Sequence, residues 1–273
     1  MVALWLTGLS IFDASVFGLA TLSTGGFAPH DGSVGALSNR AAEAVLMVFM
    51  ILGAANLALH WLAVRGRGVT VYWRDPEFPV FLFVALVGAA LLTVALIAAG
   101  SAGVVDAVWL GLFHAASALS TTGFVTGQGT QWPIFVPVLL VLLMLIGGST
   151  GSTSGGIKIM RGVLLARLAR REFQRLAHPH GVVPINYRGA GATVDANALR
   201  GIWAVFVAFV FTFGAVTMAL SLTGLDFREA SFAAASALTN TAPMDGAMID
   251  GAATFGELGQ GAKGILALGM VLG

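Results

Sequence analysis

Apolar residues along this chain gather into runs of two lengths. Runs near the ~20 residues that cross a hydrocarbon core cover 41–64, 78–100, 133–157 and 201–223, and a fifth begins near Glu257 and is still running at Gly273. Three runs between them, 11–22, 104–119 and 227–238, are too short to cross. They predict re-entrant helices, which satisfy their own backbone at membrane depth. The order reads short helix, turn, spanning helix; then spanning helix, short helix, turn, spanning helix, twice over, with the last copy incomplete. It predicts an all-α integral membrane protein made of repeated helix–pore helix–filter loop–helix units. The units divide as 1–77, 78–177 with a broken second helix, and 178–273.

Each short run ends in nearly the same eight residues. The copies are Ala20-Thr21-Leu22-Ser23-Thr24-Gly25-Gly26-Phe27, Ser117-Ala118-Leu119-Ser120-Thr121-Thr122-Gly123-Phe124 and Ser236-Ala237-Leu238-Thr239-Asn240-Thr241-Ala242-Pro243. Small residues at spacings of four let membrane helices pack closely, but that does not account for a block with leucine fixed in place after a short helix. A hydroxyl-rich, glycine-ended turn instead suits a cation filter, in which backbone carbonyls replace an ion's water. A short helix entering from outside aims its negative C-terminal dipole at the membrane interior, where it favours a cation. Gly26 and Gly123 permit positive φ. Asp13, Asp106 and Asp226 near the helix starts fit caps better than ion ligands. A ring around one ion path usually needs four such elements, and this chain supplies three. The expectation is therefore an internal piece of a longer polypeptide, or a start at an internal Met, and such a piece alone is expected to be inactive.

Composition supports the bilayer and narrows the chemistry. Hydrophobic residues make up 57% and charged ones 10%, against about 25% charged in soluble domains. There is no cysteine, which removes disulfides and thiolate chemistry. The first residues lack the basic n-region of a signal peptide. Arg65, Arg67 and Arg74 precede the second span. Lys158, Arg161, Arg167, Arg170, Arg171, Arg175, Arg188 and Arg200 lie between the third and fourth. The positive-inside rule makes that side cytoplasmic, so all three turns open outward. An intramembrane enzyme is not expected: the spans hold no Asp, and His60 is their one His. A secondary transporter would pair discontinuous helices in two halves, whereas here one unit recurs in one orientation. His178 and His180 alone are a weak metal signal. Asn56 and His60 share a helix face at i, i+4; His60 reads as a packed or interfacial residue rather than an ion ligand, and His114 as locally hydrogen-bonded. Trp5, Trp61, Trp109 and Trp132 fit interfacial belts.

The third span is interrupted by Gly147, Gly148, Ser149, Thr150, Gly151, Ser152, Thr153, Ser154, Gly155 and Gly156. Such a stretch is a poor helix, and unwound backbone at depth must be buried or line a cavity. It predicts a polar plug below the filter. The alternative is a cytoplasmic linker after a shorter helix, but 133–146 alone is too short to span. A phosphate loop is excluded, because Ile157 stands between Gly156 and Lys158 and no hydroxyl follows the lysine. Lys158 and Arg161 begin a basic helix through Leu176, with Ile157, Met160, Leu164 and Leu168 at helical spacing. That helix either anchors on anionic lipid or couples the plug to a cytosolic partner.

These motifs resemble the Trk/Ktr/HKT superfamily of potassium transporters, the bacterial TrkH type most of all. Thr21-Leu22-Ser23-Thr24-Gly25-Gly26-Phe27 resembles its second pore loop, and Gly53-Ala54-Ala55-Asn56-Leu57 with His60 the helix that follows. Ser120-Thr121-Thr122-Gly123-Phe124 resembles the third loop, and the segment from Gly148 through Lys158, with Arg161, the glycine-rich intramembrane loop. Thr239-Asn240-Thr241-Ala242-Pro243 resembles the fourth loop. The resemblance implies a K⁺ channel-like protein of four pore repeats, about three of which this chain covers. Its selectivity filter would comprise Ser23, Thr24, Gly25 and Gly26; Ser120, Thr121, Thr122 and Gly123; and Thr239, Asn240, Thr241 and Ala242, with K⁺ held there as cargo. It also implies uptake of K⁺ across the bacterial cytoplasmic (inner) membrane by a multi-pass homodimer. A cytosolic TrkA-type regulatory protein would be the only nucleotide-binding part. No covalently bound cofactor and no nucleic-acid partner are expected. One departure is Ala242 where a filter glycine is expected. If that backbone is left-handed, Ala costs roughly 1–2 kcal/mol relative to Gly; either the loop takes a different conformation or the filter is less strictly K⁺ selective, and Ala242→Gly is expected to raise K⁺/Na⁺ discrimination in the full-length protein.

Overall fold

In the computed structural model, residues 1–127, 132–178, 195–242, 244 and 256–273 are described. Their regular elements are all helical. A first group comprises α1 (Val2–Leu6), α2 (Ile11–Leu22) and α3 (Arg40–Gly53). After it come the short α4 (Leu57–Leu62) and α5 (Thr70–Arg74). A second group is α6 (Phe78–Ala98), α7 (Val104–Leu119) and α8 (Phe135–Ile146). The basic helix α9 (Ile159–Ala177) follows. A third group is α10 (Ala196–Ser221), α11 (Phe227–Thr239) and α12 (Gln260–Leu272). Within each group the helices pack on one another, and α3 against α7 and α8 against α11 join the groups.

The short helices start where their caps dictate. The Ser10 hydroxyl accepts from the Asp13 backbone N–H at 3.0 Å. Asp226 accepts from Glu229 N–H at 2.8 Å while the Glu229 carboxylate takes the Asp226 N–H at 3.1 Å, a reciprocal capping box. Asp226 is thus a cap, Asp13 lies in the first turn of α2, and Asp106 pairs with Arg40. No side-chain cap is formed at α7.

The longest apolar helices are α6 and the 25-residue stretch Asn197–Ser221 of α10. On α6, Phe81, Leu92 and Leu96 are buried while Phe83, Leu86, Val94 and Ile97 are exposed. A helix apolar all round has no aqueous face and suits lipid. Small residues set its closest crossing. A Cβ on Gly111 of α7 would strike the Thr93 hydroxyl and come within 2.7 Å of Ala89 O on α6, the close backbone approach expected between membrane helices.

The expected single span 41–64 is not one helix. α3 and the following Leu57–Gly66 segment are bent by 98°. Asn56 is the N-cap of α4, its side chain accepting from Ala58 N–H at 2.9 Å, so it shares no helical face with His60. The break persists because another segment supplies partners for the freed backbone. Ser149 N–H donates to Ala54 O at 2.9 Å, and Leu57 N–H donates to Gly151 O at 3.0 Å. His60 spans the bend, bonded to Leu52 O at 2.9 Å and to the Tyr72 hydroxyl at 2.6 Å. Of the expected interfacial tryptophans, Trp5 and Trp61 are exposed. Trp109 instead donates to Glu43, and Trp132 packs edge-on against His114. His180 and Pro243 lie outside the described residues.

Candidate ion pathway

The three octets end their helices in the same way, hydrogen bond for hydrogen bond. The N–H of the sixth residue returns to the carbonyl of the first: Gly25 to Ala20 at 2.9 Å, Thr122 to Ser117 at 3.0 Å and Thr241 to Ser236 at 2.9 Å. The N–H of the fifth returns to the carbonyl of the second: Thr24 to Thr21 at 3.2 Å, Thr121 to Ala118 at 3.0 Å and Asn240 to Ala237 at 3.2 Å. This pair of bonds is a Schellman motif, which requires a left-handed residue at the fifth position. Thr24, Thr121 and Asn240 have φ of +50°, +56° and +51°.

Hydroxyls brace the last two copies. Ser117 Oγ donates to Phe124 O and Ser236 Oγ to Thr241 O, both at 2.7 Å. Ser120 Oγ meets Thr122 Oγ1, and Thr239 Oγ1 meets Thr241 Oγ1, again at 2.7 Å. Hydroxyls that face each other or their own backbone are not aimed at an ion, so the turns can offer it mainly carbonyls. The first copy has Ala20 and Gly25 at the corresponding places and lacks this bracing. Its Phe27 is 74% exposed, whereas Phe124 is fully buried and stacks edge-on against Phe17 of α2 at 5.6 Å.

All three turns meet at one place. A Cβ on Gly26 would collide with Thr122 O and lie 2.5 Å from Ala242 Cβ, and one on Gly123 would lie 2.5 Å from Ala242 O. Gly26 and Gly123 have φ of +62° and +87°, so glycine is required there for conformation and for space. Ala242 is not among the described residues with positive φ. The loop takes a backbone there that is not left-handed, and no such strain falls on the alanine. Its N–H donates to Thr122 O at 3.3 Å.

The 147–156 segment lies directly beneath this meeting point. Thr24 Oγ1 donates to Thr153 O at 2.9 Å, and Gly155 N–H donates to Thr121 Oγ1 at 2.7 Å. A Cβ on Gly155 would collide with Thr239 O. The segment therefore touches the end of every short helix. Its other ties run to the α3–α4 break, to Glu77, whose carboxylate accepts from Thr150 N–H at 2.7 Å, and to Lys158. Lys158 stands before α9 with φ +76°. Its ammonium turns back to Ser152 O at 3.4 Å and to Ser154 O. Arg161 Nη1 reaches Ile157 O at 3.4 Å. Leu164 and Leu168 of α9 pack on Leu199 of α10.

One cluster was not singled out in the sequence. Glu43 of α3 is 5% exposed and accepts from Trp109 Nε1 and Thr126 Oγ1. The Thr126 N–H donates to His114 Nε2 at 3.3 Å, while the other ring nitrogen meets Leu110 O at 2.8 Å. The segment leaving the second turn is thus held from two sides. The readable signal is a carboxylate near the start of an apolar helix, since ionisable residues at membrane depth are rare and placed. Among the described residues no group of three or more His, Cys, Asp or Glu could hold a metal.

Comparison with known proteins gives this geometry a family. The family described as TrkH, cation transport protein, matches residues 3–273. A relative from Vibrio parahaemolyticus named Trk system potassium uptake protein TrkH is 35% identical over 275 residues, which is 100% of this chain and 56% of the relative. A protein of the same name from Escherichia coli is 33% identical, over 99% of this chain and 55% of its own length. The crystal structure of the potassium transporter TrkH from Vibrio parahaemolyticus superposes with a TM-score of 0.92 at 34% identity, covering 100% of this chain and 58% of that one. The chain spans little more than half the length of the relatives it matches. The family is one of membrane transporters and not of enzymes, and its repeated short helices, converging turns and matched sequence place this chain in it: the protein belongs to the TrkH family of cation transport proteins.

Proposed function

We propose that the polypeptide carrying this chain takes up potassium across the bacterial inner membrane. Three pore units, 1–77, 78–177 and 178–273, would contribute Ser23–Gly26, Ser120–Gly123 and Thr239–Ala242 to one filter, where backbone carbonyls replace the hydration of K⁺. The observation that carries this reading is the convergence of three identically terminated helices on Gly26, Thr122, Gly123 and Ala242. The relatives' names supply the ion. Helix C-termini aimed at that point add negative potential where a cation would sit. Thr122 O accepts from Ala242 N–H at 3.3 Å and keeps a second lone pair for an ion.

Gly147–Gly156 acts as the gate in this reading, because it closes the space below the turns and is held by single hydrogen bonds rather than by a hydrophobic core. Lys158 and Arg161 join that loop to the amphipathic α9, which suits transmission from a cytosolic nucleotide-binding regulator of the TrkA type. The working assembly would be a homodimer in the lipid bilayer. The decisive experiment is growth rescue of a potassium-uptake-deficient bacterium by the full-length gene at low K⁺. Rescue that disappears in the Gly123→Ala variant is expected. Failure at every K⁺ level, with the protein present in the membrane, would overturn the proposal.

A further inference from the structure

The fifth position of each octet must be left-handed, and the cheap residues there are Gly and Asn. The third copy uses Asn240. The first two use threonine, a β-branched residue for which positive φ is a real outlier. Such strain persists where the surroundings over-determine it, and it concentrates at functional sites. Both threonines reach the 147–156 loop with their hydroxyls, that of Thr24 being shared with Ser23 O at 2.8 Å. Thr24 Oγ1 donates to Thr153 O at 2.9 Å, and Thr121 Oγ1 accepts from Gly155 N–H at 2.7 Å. Asn240 turns away instead, donating to Met270 O at 3.2 Å. Residues 24 and 121 thus belong to a turn through their backbone and to the loop through their side chain.

We propose that Thr24 and Thr121 are positioning residues that latch the gate loop to the filter, so that the state of two filter turns and the position of the loop are one equilibrium. Releasing the loop frees both hydroxyls, and a change in either turn weakens the hold on the loop. The inference rests on the reading of that loop as the gate.

The test uses the full-length protein in proteoliposomes with no partner added. Thr24→Val and Thr121→Val keep the branching and remove the hydroxyl. Each is expected to raise resting potassium flux about five-fold, the worth of one ordinary hydrogen bond, and serine at either position to restore the resting level. Thr121→Asn, the third copy's residue, tolerates the left-handed backbone and is expected to act as valine does, which guards against a folding artefact. A second readout does not depend on transport. The chain has no cysteine, and Ser149 is fully buried with no hydrogen-bond partner for its hydroxyl among the described residues. A Ser149→Cys thiol is therefore expected to be protected in the latched protein and to react about five-fold faster with a small maleimide when either valine is present.

Unchanged flux and unchanged thiol reactivity in the valine variants would overturn the latch, as would serine behaving like valine. Gly155→Ala, whose Cβ would strike Thr239 O, separates the two readings. If it exposes the thiol without raising flux, the gate reading falls and the latch with it. If it raises flux while both valine variants stay silent, the latch alone falls.

Discussion

The second and third octets end their helices with the same backbone bonds and differ at four of their eight residues, the fourth and eighth among them. Both close with the same two Schellman bonds, and both are braced by a serine at the first position and a hydroxyl pair at the fourth and sixth. They part at the fifth residue, Thr121 against Asn240, and at the seventh, Gly123 against Ala242. The shared bonds show that the turn is shaped by how its helix ends, upstream of the seventh residue. That residue differs both in backbone, with positive φ at Gly123 and not at Ala242, and in how closely a neighbour approaches. The fifth decides whether a side chain of the turn bonds to the loop beneath it.

The comparison breaks most severely at Gly123. Gly123→Ala places a methyl 2.5 Å from Ala242 O at a φ of +87°, and is expected to abolish growth rescue at low K⁺ with the protein still in the membrane. Next comes the support that only the second copy shows among the described residues. Glu43→Ala leaves the half-buried Trp109 and the buried Thr126 without their acceptor, and a buried group left unpaired costs about 1–3 kcal/mol. A lowered melting temperature of the detergent-solubilised full-length protein, with loss of K⁺/Na⁺ discrimination, is the expected outcome, and a melt equal to wild type would remove the clamp. Ser117→Ala and Ser236→Ala each delete the bond that the first-position serine makes forward, to Phe124 O in one copy and to Thr241 O in the other. Each is expected to lower discrimination by roughly three- to five-fold, about 1 kcal/mol, in ion-competition flux assays, and unequal effects would show that the copies are not equivalent. The smallest change is Ala242→Gly. With no left-handed strain to relieve, it is expected to shift ion competition less than about two-fold; a larger gain would restore the strain argument.

Much of this was legible in the amino-acid order. The octet's fixed leucine and hydroxyls marked where three short helices end, and the Gly, Ser and Thr run marked the interrupted third span. Two things were not. Ala54 and Ala55 are good helix formers, so nothing local announces the 98° bend. The bend depends on Ser149 and Gly151, almost a hundred residues away, which bond to the exposed backbone. Glu43 read as one acid at a helix start, and its meaning comes from Trp109 and Thr126, which the fold brings to it. The conformation of Ala242 was also beyond reach, since the expectation rested on its neighbours in the repeat, and the third copy meets different surroundings.

The helix endings carry a further consequence, visible as a balance of donors and acceptors. A peptide unit offers one N–H and one carbonyl. In the first two octets the fifth and sixth N–H groups point backwards and are consumed by carbonyls already behind them. Ahead of them, the carbonyls of Thr24, Gly26, Thr121 and Gly123 accept no hydrogen bond among the described residues. Each turn therefore leaves the helix with more oxygen than hydrogen to offer. Such a surplus, buried away from water, calls for a partner that the turn itself does not supply, a hydrogen-bond donor or a bare cation.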